Sequence, residues 1–138
     1  MIRVCLPEDQ PQMMALWERV AGVGVNERDD SAEGIRLFLQ RNPGCSFVAE
    51  EDGCIVGTIL CGHDGRRATV YHLAVDPAYR SRRIATGLVS HVMQALHALG
   101  IGKVKAIVFA DNELGAAFWT SSGWTLRRDI DYYDFSVR

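Results

Sequence analysis

The chain is 138 residues long, enough for one hydrophobic core, and its 48% hydrophobic and 23% charged residues exclude a disordered or fibrous protein. A formal net charge of −2 provides no overall basic field, so a dedicated nucleic-acid binder is excluded and any anion site must be local. The first residues lack a signal peptide's basic-then-apolar pattern, and no apolar run approaches the ~20 residues that span a bilayer, so the expected address is cytoplasmic, with no membrane partner.

In chain order, residues 2–6 read as a short strand. Pro7, Glu8 and Asp9 open a helix whose apolar face carries Met13, Leu16, Trp17 and Val20. Residues 21–30, rich in glycine and charge, read as a loop before a second helix over 32–40, which Asn42, Pro43 and Gly44 stop. Strands at 46–50, 55–61 and 68–75 follow, separated by the turn dipeptides Asp52-Gly53 and Asp64-Gly65, so an antiparallel meander is expected.

Ile84, Leu88, Val92, Leu96 and Leu99 recur at three- and four-residue steps up to Gly100, the signature of a long helix. Residues 104–109 suit a buried strand. A helix capped by Asp111 or Asn112 and ended by Gly123 follows, and 124–126 with 130–137 suggest a final hairpin. The expected fold is a single α/β (α+β) domain: a mixed, mostly antiparallel sheet of about six to seven strands flanked by about four helices. Cys5, Cys45, Cys54 and Cys61 show neither CxxC pairs nor zinc-finger spacing, so buried free thiols are expected, with no metal site.

The sharpest local feature is the passage from Val75-Asp76-Pro77 through Ala78, Tyr79, Arg80, Ser81, Arg82 and Arg83 into Ile84 and Ala85. A strand stops at proline and a helix starts behind three arginines, so free backbone N–H groups and the positive helix end meet guanidinium forks suited to phosphate. The competing reading is a solvated surface cluster. Arginine is disfavoured at a helix start, however, and a bound polyanion would repay that cost.

These residues resemble the GNAT superfamily of N-acetyltransferases, and the likeness runs from about Ile2 to Trp124. Leu73-Ala74-Val75-Asp76-Pro77 matches the L-A-V-x-P strand end, Arg80, Ile84 and Ala85 fall in register with the loop signature, and Asn112, Gly115, Phe118, Trp119, Gly123 and Trp124 match a second block. The resemblance implies acetyl-CoA as co-substrate. Leu73, Ala74 and Val75 would pair with its pantetheine arm, and Arg80, Ser81, Arg82, Arg83, Ile84 and Ala85 would hold the pyrophosphate, with Thr86 close behind. Asn112 would reach the pantetheine or serve as an N-cap, roles that coexist, while Phe118 and Trp119 would pack beside the thioester end.

Arg83 and Ser81 stand where the family usually has glycine, so their side chains either crowd the phosphate or swing outward and add charge. Trp119 stands where many members carry the tyrosine proposed to protonate the leaving thiolate, and an indole N–H cannot serve as that acid. Tyr71, Tyr132 and Tyr133 are the remaining hydroxyl candidates. Family positions that carry Glu or His in some members correspond here to Thr69 and Tyr71, neither a base at neutral pH. Strand alternation sends the neighbouring His72 to the face opposite Tyr71, as a core or surface residue. His91 reads as structural. Glu18, Glu27 and Asp30 read by default as an exposed acidic face, in a region that in this superfamily walls the acceptor site.

The implied reaction is direct attack of an amine on acetyl-CoA, resting on positioning and on backbone donors such as the N–H of Val75. The acceptor is a small-molecule amine or a protein N-terminus or lysine, and a homodimer through Tyr132, Tyr133 and Phe135 is the expected self-contact. The alternative is a non-catalytic acyl-CoA-binding or sensing domain. A nucleotide-binding module finds no support, since the chain has neither a GxGxxG nor a GxxxxGK loop.

Overall fold

In the computed structural model, which describes residues 1–137, five strands pair in sequence order. They are β1 (Ile2–Val4), β2 (Phe47–Glu51), β3 (Cys54–His63), β4 (Ala68–Val75) and β5 (Val104–Ala106). The first four pair antiparallel and β4–β5 is parallel. The α-helices are α1 (Gln10–Arg19), α2 (Ala32–Arg41), α3 (Ile84–Ala98) and α4 (Glu113–Ser121). This is the expected mixed, mostly antiparallel architecture. The chain divides into two compact units, Met1–Ile107 and Val108–Arg138.

In the first unit the sheet buries side chains in two apolar layers, and the register shift opposite Ala49 and Glu50 lets Ile55 share a layer with Leu60, an odd number of residues away. Val48, Ile55 and Leu60 join Met13, Leu16 and Trp17 of α1 and Ile35 of α2 in one cluster. Gly57 faces the other way: a Cβ there would lie 3.0 Å from Ile84 and 3.2 Å from Leu88, so the missing side chain lets the first turns of α3 lie directly on β3. Pro7–Asp9 forms a 3₁₀ turn ahead of α1, and α2 starts at Ser31, whose hydroxyl accepts from the Gly34 N–H.

Three expectations need correction. The sheet has five strands, not six or seven, because no strand forms over residues 124–137. Tyr132, Tyr133 and Phe135 have the β-propensity for a hairpin, but they remain exposed, and a strand exists only where a partner completes its ladder. The fifth strand also stops at Ala106 rather than 109. Of the cysteines, Cys5, Cys45 and Cys61 are buried free thiols, whereas Cys54, at the start of β3, is exposed. Among the described residues no helix is long and apolar enough to cross a membrane, and no cluster of His, Cys, Asp or Glu could hold a metal ion.

Candidate acyl-donor site

β5 pairs with β4 only at Ala68, Thr69 and Val70, yet β4 continues to Val75. Residues 71–75 therefore have β3 on one edge and, among the described residues, no strand on the other. Asp76 N–H donates to Val56 O at 2.8 Å, which makes Val75 and Gly57 a non-hydrogen-bonded pair of the antiparallel ladder. The N–H and C=O of Val75 therefore both point away from β3, to the open edge. By the same alternation the N–H of Ala74, paired with Thr58, points to β3.

Beyond β4 the chain makes a 3₁₀ turn, Pro77–Tyr79. Asp76 fixes this turn: its Oδ1 accepts from Ala78 N–H at 2.9 Å and its Oδ2 accepts from Arg19 at 2.8 Å. The Arg19 hydrogen bond, then that of Ala78, hold the Asp76 carboxyl below its usual range. The helix behind the turn begins with a vacant mouth. The first bond of α3 runs from Gly87 N–H to Arg83 O, and the N–H groups of Ile84, Ala85 and Thr86 meet no acceptor among the described residues.

Ser81 and Arg83 both adopt left-handed backbone, with φ of 67° and 60°. These are the two positions where the resembled family has glycine, so the backbone keeps the glycine geometry while carrying side chains, at a cost of about 1–2 kcal/mol each. The Arg83 side chain is exposed, as are Arg80 and Arg82, and none of the three forms an ion pair among the described residues. Arg82 lies 5.0 Å over the Tyr79 ring. Outward side chains, unpaired charge and free N–H groups thus share one short segment, an arrangement suited to an anion.

In the second unit, Asn112 caps α4 through Oδ1, which accepts from Gly115 N–H at 2.9 Å. Gly115 permits this, since a Cβ there would lie 2.7 Å from Asn112 Nδ2. That Nδ2 makes no hydrogen bond among the described residues and is free to donate elsewhere. Phe118 and Trp119 pack edge to face at 5.1 Å, and Trp119 meets Trp124 at 4.3 Å.

The main correction concerns His72. The pairing steps from Thr58↔Ala74 to Leu60↔Tyr71, so β4 carries one extra residue and bulges at His72–Leu73, with His72 at φ 51°. Alternation fails there, and Tyr71 and His72 reach the same layer: Tyr71 packs edge-on against Phe38 of α2 at 6.1 Å, and His72 against Trp17 of α1 at 4.6 Å. His72 Nε2 lies 2.9 Å from Oδ2 of Asp30, which is buried rather than part of an exposed acidic face. Thr58 Oγ1 accepts from Trp17 Nε1 at 2.9 Å and donates to His72 O at 2.8 Å. No glycine or proline marks the bulge, so the sequence carries no local signal for it. His91, by contrast, is structural as expected, bonding Gly87 O at 2.9 Å and packing on Phe47.

A mixed sheet that opens along one strand beside an uncapped helix mouth is a frame suited to an extended ligand with an anionic end. The chain belongs to the Acetyltransferase (GNAT) family, whose profile matches residues 11–124. Acetyltransferase plu1384 of Photorhabdus laumondii is 38% identical over 114 residues, 81% of this chain and 77% of that protein. Among solved structures, the PaiA N-acetyltransferase of Thermoplasma acidophilum in complex with coenzyme A superposes with a TM-score of 0.83 at 19% identity, covering 95% of this chain and 92% of that one. AAC(6')-Iy with the bisubstrate analog CoA-S-monomethyl-acetylneamine gives 0.77 at 18% identity, over 99% and 97%. At such identities the structural likeness establishes the fold.

Proposed function

We propose that the chain acts as one acetyltransferase domain that moves the acetyl group of acetyl-CoA to a primary amine by direct attack. The carrying observation is the presence, within one stretch of chain, of an open strand edge at Val75 and unbonded N–H groups at the mouth of α3. Bound acetyl-CoA supplies the acetyl group as an activated thioester. Leu73 and Val75 offer main-chain partners for an extended amide-bearing arm, as a sheet edge does for a peptide. The N–H groups of Ile84, Ala85 and Thr86, with the arginines at 80, 82 and 83, suit a diphosphate. Val75 N–H orients and polarises the carbonyl under attack.

A coenzyme A complex of one structural neighbour and a coenzyme A–aminoglycoside analog on another support this donor and an amine acceptor. The family profile spans both compact units, which supports a single working domain. A homodimer through exposed Tyr132, Tyr133 and Phe135 belongs to the same reading.

Trp119 in place of an acidic tyrosine favours one competitor, an acyl-CoA sensor without catalysis. Calorimetry with acetyl-CoA, followed by thiol release across a panel of primary amines, decides between them. The enzyme binds at micromolar concentration and releases thiol with at least one amine; a sensor binds and releases none; absence of heat at millimolar acetyl-CoA defeats both.

A further inference from the structure

An alkyl ammonium of pKa ~10.4 has no lone pair with which to attack, so an amine acetyltransferase at neutral pH needs a proton acceptor near the open edge of β4. Neither Thr69 nor Tyr71 is one. Of the other histidines, His63 accepts from Gly65 N–H at 3.0 Å, His91 is bonded to Gly87 O, and His97 sits in the last turn of α3. His72 alone lies within residues 71–75, where β4 is free of β5.

We propose that His72, oriented by Asp30, is the base that takes the proton from the acceptor amine, an assignment that rests on the acetyltransferase reading. The carboxylate of Asp30 only accepts hydrogen bonds, so the 2.9 Å contact places the imidazole proton on Nε2 and leaves the lone pair on Nδ1. Among the described residues no buried side-chain nitrogen or oxygen lacks a partner. Nδ1 of His72 makes no hydrogen bond, so it is open to solvent while the rest of the ring is packed on Trp17.

The support behind the ring is itself fixed. Asp30 Oδ2 also accepts from Asn26 N–H at 2.9 Å, and its carbonyl accepts from Gln10 Nε2 at 2.9 Å. On the other side the Trp17–Thr58 chain clamps the His72 carbonyl. A strained bulge, a buried carboxylate on one ring nitrogen and solvent on the other form a held base, the geometry a proton acceptor requires. Its hydrogen-bond and ring partners are Asp30, Thr58 and Trp17, and of these Asp30 alone titrates.

The protons balance. One passes from the ammonium nitrogen to Nδ1 and from there to water. The neutral amine forms the C–N bond as the C–S bond breaks, and its second proton leaves on the sulfur as free thiol.

The test compares wild type, His72→Gln and Asp30→Asn with the best amine found in the panel. His72→Gln lowers kcat/KM at pH 7 by ~10²–10⁴-fold and changes the pH profile, its rate rising with pH toward the amine's own pKa. Its acetyl-CoA affinity by calorimetry is unchanged. Asp30→Asn gives a smaller loss. Nitrogen-15 NMR of wild type shows His72 protonated at Nε2, a readout independent of turnover and of whether either variant folds, and Asp30→Asn mixes the two tautomers. A His72→Gln enzyme with wild-type rate and pH profile, or a wild-type ring protonated at Nδ1, overturns the assignment alone. A wild type that binds no acetyl-CoA overturns the acetyltransferase reading and takes this assignment with it.

Discussion

Thr58 is fully buried and holds three elements together through one hydroxyl. It accepts from Trp17 Nε1 on α1 at 2.9 Å and donates to the His72 carbonyl on the β4 bulge at 2.8 Å. Thr58→Val keeps the volume and removes the hydroxyl, leaving a buried indole N–H and a carbonyl without their partner. Each group so stranded costs about 1–3 kcal/mol, so a loss of about 2–6 kcal/mol is expected. With a urea slope of about 2 kcal/mol/M, the unfolding midpoint falls by about 1–3 M. Urea unfolding followed by tryptophan fluorescence reads this directly. Thr58→Ser restores the hydroxyl and gives up one buried methyl, about 1 kcal/mol. If Thr58→Val unfolds within about 0.5 kcal/mol of wild type, the hydroxyl does not tie the bulge to α1 as described.

Three further outcomes follow from the same geometry. Burial raises the Asp9 carboxyl, but hydrogen bonds from Arg3 at 2.8 Å and from Leu6 N–H outweigh it and hold the pKa below its usual value. A depressed carboxyl stabilises the fold above its unfolded pKa of about 3.9 and loses that contribution as pH falls through its lower folded value; Asp9→Asn therefore costs about 1–3 kcal/mol at pH 7 and progressively less as the pH is lowered through that range in urea titrations. Ser81→Gly, at φ 67°, relieves left-handed strain and raises stability by up to about 1 kcal/mol, visible as a higher melting temperature. Burial pushes the Cys5 and Cys61 thiols up to about 12 and raises that of Cys45, while Cys54 is exposed; a disulfide reagent at pH 8 thus titrates one thiol promptly in the native protein and four after denaturation.

Much of the first unit is legible from local pattern. β4 forms over residues 68–75 as expected after the Asp64-Gly65 turn, and α3 follows its apolar three- and four-residue steps up to the Gly100 stop. The passage from β4 into α3 is legible as well, since a strand ended by Pro77 and a helix behind three arginines need no tertiary information. The left-handed backbone at Ser81 and Arg83 is not legible, since the residues there are not glycine.

What the sequence conceals is nonlocal. The bulge at His72–Leu73 is a mismatch between two strands, so nothing in β4 alone reveals that His72 turns onto the side of Trp17. Asp30 looks like one more loop acid until the fold buries it against that ring. The C-terminal hairpin fails for the same reason in reverse, because aromatic β-propensity in residues 130–137 does not supply a pairing partner.

The most direct measurement is amide hydrogen exchange on the wild-type protein with and without saturating acetyl-CoA. Donor groups that become bonded to the ligand exchange at least ~10-fold more slowly, about 1.4 kcal/mol of protection, and the expected set is Leu73 and Val75 on the strand edge with Ile84, Ala85 and Thr86 at the mouth of α3. Saturating ligand that leaves these amides unchanged and protects others would place the acyl donor elsewhere on the chain.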